Sequence, residues 1–213
     1  MSESLYSFDR SLAANSNKDP GKFLIAGIDE AGRGPWAGPV VACAMILPKD
    51  FHDLRINDSK QLSPALRETL YKKITEGSFW AIGTGQVSLI DSDNILQATY
   101  CAMRNALQNL LRANPQISPD LVLVDGRKVP GIGLPQKAVI RGDAQSASIA
   151  AASIVAKVFR DRMMRVLDRL YPQYGFARHK GYGTKLHLKN LLEFGPSPVH
   201  RKSFAPVRSV LIR

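Results

Sequence analysis

The apolar positions fall into short blocks, and each block stops in a recognisable way. Phe23-Leu24-Ile25-Ala26-Gly27-Ile28 is a continuous apolar run that ends on two acids, the pattern of a buried strand. Gly32, Gly34 and Pro35 break it. A second run from Pro39 to Leu47 follows, so two strands around a Gly-rich turn predict a hairpin. Ser63-Pro64 supplies a cap and a first-turn proline for a helix through Leu66, Leu70 and Ile74. Phe79 to Val87 reads as a strand, and Asp93 as the cap of a long helix through Ile95, Tyr100, Met103, Leu107 and Leu110. Leu121-Val122-Leu123-Val124 runs straight into Asp125-Gly126, another buried strand ending on an acid.

A weaker strand, Ala138-Val139-Ile140, precedes Gly142-Asp143. Asp143 stands where it would cap an Ala-rich helix from Ala144 to about Leu170. Thr184 to Phe194 is a last helix, closed by Gly195 and Pro196. Strands precede helices repeatedly, so the class is α/β with a mixed sheet. Residues 1–21 are polar, end in the turn signal Asp19-Pro20-Gly21 and read as a loose leader. Residues 22–170 then form the main domain and 171–213 a C-terminal helical appendage and tail.

Charge narrows the partners. Lys and Arg number 29 against 18 Asp and Glu in 213 residues, a net +11, and a surplus of that size points to a polyanion such as nucleic acid. A solvated basic surface is the alternative that charge alone leaves open. The two cysteines, Cys43 and Cys101, lie far apart in apolar surroundings, which argues against a disulfide scaffold and for a reduced, cytoplasmic setting. The N-terminus has no signal-peptide core, and no run approaches the roughly 18 apolar residues of a spanning helix, so a soluble chain is expected.

The candidate chemistry sits where strands stop. Asp29, Glu30 and Asp125 end apolar runs, and Asp143 begins a helix. Carboxylates gathered there repel one another unless a divalent cation neutralises them, and Mg²⁺ or Mn²⁺ suits such oxygen donors. Spacing by itself leaves two readings, a metal site or a set of turn formers. Adjacent Asp29 and Glu30 point to opposite faces of an ideal strand, so sharing a site requires the backbone to turn between them. Gly32-Arg33-Gly34 allows close approach of backbone amides to a ligand, and Arg33 can grip a phosphate, although no Gly-Lys-Ser/Thr follows to make a P-loop. Arg178-His179-Lys180-Gly181-Tyr182-Gly183-Thr184 combines cations, an aromatic and flexible glycines, suited to a sugar–phosphate backbone. The alternative is a solvated loop whose tyrosine plugs the core. His179, His187 and His200 lack a zinc spacing with cysteines.

Several motifs resemble those of ribonuclease HII. They are Gly27-Ile28-Asp29-Glu30-Ala31-Gly32-Arg33-Gly34-Pro35, Asp58-Ser59-Lys60-Gln61-Leu62, Val124-Asp125-Gly126 and Gly142-Asp143. Ser148-Ile149-Ala150-Ala151-Ala152-Ser153 through Lys157-Val158 into Arg160-Asp161 continues the pattern. Tyr174-Gly175-Phe176, His179 through Thr184, and His200-Arg201-Lys202-Ser203-Phe204, similar to the bacterial tail, complete it. The resemblance spans roughly residues 23–207 in the family's order, which makes it specific.

The resemblance implies a ribonuclease H-like fold, a central mixed sheet flanked by helices with a helical C-terminal part. It implies an endonuclease that cleaves the RNA strand of RNA–DNA hybrids and incises 5′ of single ribonucleotides in duplex DNA. Two metal ions, Mg²⁺ or Mn²⁺, would be held by Asp29, Glu30, Asp125 and Asp143, and the products would carry 3′-hydroxyl and 5′-phosphate ends. Gly32, Arg33 and Gly34 would read the ribose 2′-OH, Tyr182 would stack on the adjoining deoxyribose, and Lys60 and Lys180 would contact phosphates. The 2′-OH is the group that separates RNA from DNA. Asp125-Gly126 is followed by Arg127-Lys128, where the family more usually has an uncharged polar residue. The short leader disfavours ribonuclease HIII, which carries an extra N-terminal domain. A monomer is expected, and the rival class is a catalytically silent nucleic-acid-binding module.

Overall fold

The computed structural model describes residues 2–56, 59 and 61–212. In chain order the elements are α1 (Ser2–Ala14), β1 (Ile25–Ala31), β2 (Val40–Ile46), α2 (Pro64–Gly77), β3 (Phe79–Gly85), α3 (Val87–Ser92) and α4 (Ile95–Ala113). They continue with β4 (Leu121–Asp125), β5 (Gln136–Val139), α5 (Ala147–Leu170), α6 (Phe176–His179), α7 (Lys185–Phe194) and α8 (Ala205–Leu211).

The five strands form one mixed sheet in the order β3-β2-β1-β4-β5. The hairpin is as the sequence predicts: β1 and β2 are antiparallel, with Asp29 opposite Cys43, and β3 extends the antiparallel half. β1 and β4 run parallel, Ile28 beside Val124, so Asp29 and Asp125 reach the same sheet edge side by side. Strand alternation assigns the faces. Ala26, Ile28, Val40, Ala42, Ala44, Val122 and Val124 pack on α4. Cys43 and Met45 pack on α5 and α2, against Ala150, Ala151, Ile154 and Leu70. Helices approach closely because side chains are missing at the crossing points. A Cβ at Gly27 would lie 2.3 Å from the Ser148 carbonyl of α5, and one at Gly83 would lie 2.1 Å from the Ala102 carbonyl of α4.

Several boundaries differ from the sequence expectation, each for a local reason. β3 stops at Gly85, and Val87 opens the short α3 instead of closing the strand. Asn94, not Asp93, caps α4, its side-chain oxygen accepting from Leu96 N (2.9 Å) and Gln97 N (3.1 Å). Asp143 is not the cap of α5. It lies in a 3₁₀ turn, Gly142–Ala144, and Ser146 caps the helix by accepting from Ile149 N.

The leader is also corrected, because it is not loose. Most of it is α1, whose Leu5 and Tyr6 are buried against α5 and whose Asp9 accepts hydrogen bonds from Ser148 N (2.9 Å) and Oγ (2.8 Å). Four apolar positions, Leu5, Tyr6, Phe8 and Leu12, are enough to seat a short helix once a partner face exists. Among the described residues, no helix is long and apolar enough to cross a membrane.

Candidate active site

Asp29, Glu30 and Asp125 meet at the edge where β1 and β4 end. No backbone turn separates the two adjacent acids, contrary to the sequence expectation: β1 stays extended through Ala31, and the chain turns only at Gly32, where φ is +99°. Alternation therefore holds. Asp29 shares the α5 face with Gly27 and is 4% exposed, while Glu30 shares the α4 face with Ala26 and Ile28. Both nonetheless feel Asp125, because β4 stops beside them and their side chains reach past its end.

The electrostatics record this convergence. Burial, then repulsion from Glu30 and Asp125, pushes the Asp29 carboxyl well above its usual range. Burial raises Glu30 as well; Arg33 opposes that rise and Asp125 adds to it. Glu30 and Asp125 line one cavity of about 410 Å³ with Arg33, Tyr100, Met103 and Arg127. The cation that departs from the family pattern thus faces the same space as the acids. Asp143 is buried one residue beyond Gly142, whose N–H donates to Asp125 Oδ1 at 2.6 Å.

Each of these three acids already has a protein partner. Asp29 Oδ1 accepts from Glu30 N (2.7 Å), Glu30 Oε1 from Arg33 Nη1 (3.3 Å), and Asp125 from Gly142. Among the described residues, no three His, Cys, Asp or Glu side chains stand close enough to hold a metal ion together. Relaxation of Glu30 away from Arg33 is the rearrangement that would open its carboxylate to a cation.

The Gly32–Gly34 loop lies directly beyond these acids, and Tyr182 stands over it. A Cβ at Gly34 would lie 3.7 Å from the Tyr182 ring, which is 45% exposed. The ring does not plug the core, so the loop reading of Tyr182 as a buried wedge fails. Trp36 N donates to Gly181 O (2.8 Å) and ties the two loops together. Lys180 is half-buried with positive φ, and its ammonium donates to Ala177 O within α6. Lys60 lies outside the described residues.

Two residues carry more of this site than their places in the quoted motifs revealed. Arg160 and Arg201 are 1% and 0% exposed, and neither forms an ion pair among the described residues. Their guanidinium groups bind carbonyls instead. Arg160 donates to Pro39 O (3.1 Å), Ala37 O (3.1 Å) and Lys180 O (3.0 Å). Arg201 donates to Gly32 O, Arg33 O (2.7 Å) and Gly38 O (2.7 Å). Burial lowers the pKa of both. A Cβ at Gly32 would lie 1.9 Å from Arg160 Nε, so this glycine answers both the positive φ and the packed guanidinium.

The histidines form a directed chain beneath Tyr182. Ser197 N–H (3.0 Å) and Oγ (2.8 Å) donate to His200 Nδ1, which leaves Nε2 of a neutral ring as the donor. It donates to His187 Nε2 (3.0 Å), and His187 Nδ1–H donates to Tyr182 O (2.9 Å). His179 accepts from Gly181 N at Nδ1 (3.2 Å), donates to Tyr174 O at Nε2 (2.8 Å) and stacks on His187 with centroids 4.4 Å apart. No residue spacing announces this chain, because α7 and the tail bring the rings together.

A mixed sheet of this order with helices on both faces, and acids at the edge between its parallel and antiparallel halves, is a ribonuclease H-like fold. The solved structures agree. Ribonuclease H2 of Pyrococcus horikoshii OT3 superposes with TM-score 0.67 at 26% identity, over 88% of this chain and 97% of that one. Bst-RNase HIII, solved in complex with Mn²⁺, gives TM-score 0.75 at 18% identity over 95% of this chain and 73% of that one, a likeness of fold.

Sequence comparison is more particular. The family model of ribonuclease HII matches residues 26–207. The chain is 54% identical over 211 residues to the ribonuclease HII of Geobacillus thermodenitrificans, covering 98% of this chain and 77% of that protein. It is 52% identical over 192 residues to that of Desulfitobacterium hafniense strain DCB-2, covering 90% and 72%. The chain belongs to the ribonuclease HII family. It is an endoribonuclease of the ribonuclease H class, a class that acts on RNA–DNA hybrids and depends on divalent metal ions.

Proposed function

We propose that this enzyme incises duplex DNA on the 5′ side of single embedded ribonucleotides, as well as the RNA strand of longer hybrids, and leaves 3′-hydroxyl and 5′-phosphate ends. The observation that carries this reading is the adjacency of three mutually repelling acids to an exposed glycine loop and tyrosine. One set of groups suits a phosphodiester, the other a sugar.

The donor set fits a hard divalent cation. It consists of carboxylate oxygens alone: Asp29 and Asp143 are buried, Glu30 and Asp125 half-buried, and Asp29, Glu30 and Asp125 lie near enough to repel one another. Asp29, Glu30, Asp125 and Asp143 would hold Mg²⁺ or Mn²⁺ as a pair of ions, the arrangement that two-metal hydrolysis requires. When bound, such ions supply a nucleophilic water and charge neutralisation at the leaving oxygen.

The chain's own groups do the rest. Arg33, released from Glu30, and Arg127, across the cavity, face the space a phosphate would enter. The Gly32–Gly34 backbone meets the ribose, and the Tyr182 ring lies against the sugar that follows it. Gly142 holds Asp125 by its N–H and fixes that carboxylate before any ligand arrives. Ser153 on α5 opposes the rise of the Asp29 pKa.

The test is incision of a DNA duplex with one ribonucleotide, beside an RNA–DNA hybrid and an all-DNA duplex, in Mg²⁺ and in Mn²⁺. Cutting 5′ of the ribonucleotide and in the hybrid, with the all-DNA duplex intact, supports the proposal. Binding of all three without cutting would identify a catalytically silent module instead.

A further inference from the structure

The loop that meets the ribose has its amides aimed by a residue far along the chain. We propose that Arg201 is a positioning residue for ribose recognition: by holding the carbonyls of Gly32 and Arg33, it turns the N–H groups of Arg33 and Gly34 toward the substrate. This rests on the proposed function above.

The geometry is a property of the peptide plane. In a trans peptide the C=O of one residue and the N–H of the next point in opposite directions, and no cis bond occurs among the described residues. Arg201 donates to Gly32 O and Arg33 O from its fully buried position. The Arg33 and Gly34 N–H groups, which share those two planes, therefore point away from Arg201, on the side where Arg33, Gly34 and Tyr182 are exposed. Two parallel donors beside an exposed ring present a surface for one acceptor oxygen, the chemistry of a 2′-hydroxyl. A deoxyribose in the same place leaves both donors without that acceptor.

Arg201 is itself fixed from several directions. Its own N–H donates to Trp36 O (2.8 Å), and its guanidinium lies 5.2 Å from the Phe204 ring centre. Asp91 accepts from Lys202 N (3.0 Å), Ser203 N (2.8 Å) and Ser203 Oγ (2.7 Å), which anchors the next turn. A planar five-donor fork is what this arrangement needs. It serves three carbonyls at once, whereas an ammonium is a single point with three rotating donors.

Arg201→Lys keeps the charge and removes the fork. The comparison substrates are a duplex with one ribonucleotide and the same duplex with a 2′-fluoro nucleotide, whose fluorine is a poor acceptor. The variant is expected to lose ten- to a hundredfold in kcat/KM on the ribonucleotide and little on the 2′-fluoro duplex, so the ratio of the two collapses. General destabilisation would lower both alike, and an unchanged ratio overturns the proposal.

A second measurement needs no variant. In ¹⁵N–¹H spectra of the intact chain with Ca²⁺, the ribonucleotide duplex should shift the Arg33 and Gly34 amides and the all-DNA duplex should not. Equal shifts with both overturn the role of Arg201. Absence of incision by the unaltered protein on every duplex would instead overturn the proposed function, and the amide shifts tell the two failures apart.

Discussion

Acidification is expected to attack the protein through the histidine chain under Tyr182. His187 and His200 are buried, and burial is the main cause that lowers each from 6.5 to about 4. Their shared hydrogen bond works only with neutral rings, since a proton added to His187 Nε2 would face the His200 Nε2–H at 3.0 Å. The sign follows from linkage. Above pH 6.5 neither folded nor unfolded rings bind protons, so the chain costs nothing. Between 6.5 and about 4 the unfolded rings protonate while the folded ones stay neutral, so stability falls as pH falls. For independent rings with these values the loss between pH 7 and pH 5 is about 2 kcal/mol each, and about 4 kcal/mol for the pair.

Urea unfolding at pH 7 and pH 5 measures it, and the histidines alone would lower the midpoint at pH 5 by more than about 1 M. Asp9, Asp29 and Glu30 act in the opposite sense, because burial raises their pKa values and the folded state holds their protons more tightly. Comparison with His200→Gln cancels those carboxyls. The variant removes one titrating ring, so its difference between pH 7 and pH 5 should shrink by about half of the histidine contribution. An identical pH dependence in the two proteins would refute the reasoning.

Three other outcomes are expected. Asp29→Asn should abolish incision yet raise stability by about 1 kcal/mol, because a buried charge beside Glu30 and Asp125 is gone; calorimetry and the incision assay check the two halves. Mg²⁺ at a hundred times its dissociation constant should stabilise the protein by about 2.7 kcal/mol in thermal unfolding, and Asp125→Asn should lose most of that gain. Gly27→Ala should destabilise by about 3 kcal/mol in denaturant titration, since the added carbon would lie 2.3 Å from the Ser148 carbonyl and backbone cannot step aside cheaply.

Much of the fold was legible from local rules. The hairpin, the Ser63-Pro64 start of α2, the strand into Asp125 and the Gly195 stop of α7 each follow from a short apolar run and its punctuation. Failures occurred where a rule had two local candidates. Asp93 and Asn94 both cap helices well, and Asn94 won because its backbone turns at φ +123° to bring its side chain onto α4. Asp143 and Ser146 competed likewise, and a 3₁₀ turn moved the helix start by one turn. Polar composition hid α1, whose few apolar residues become a stripe only when α5 is there to receive them.

By itself, then, the sequence determined the strand-ending acids Asp29, Glu30 and Asp125, the flexible Gly32–Gly34 loop, the basic charge and the ordered motifs that mark the family. Those are properties of residue type and nearest neighbours. Tertiary structure decided that Asp29 and Glu30 reach a common edge from opposite faces, which depends on where β4 ends beside β1. It also decided that Arg160 and Arg201, 41 positions apart by their numbering, brace one loop, and that His187 and His200 share one hydrogen-bond chain. Contacts between residues so distant in sequence leave no period or spacing to read, because only chain closure brings their donors and acceptors together.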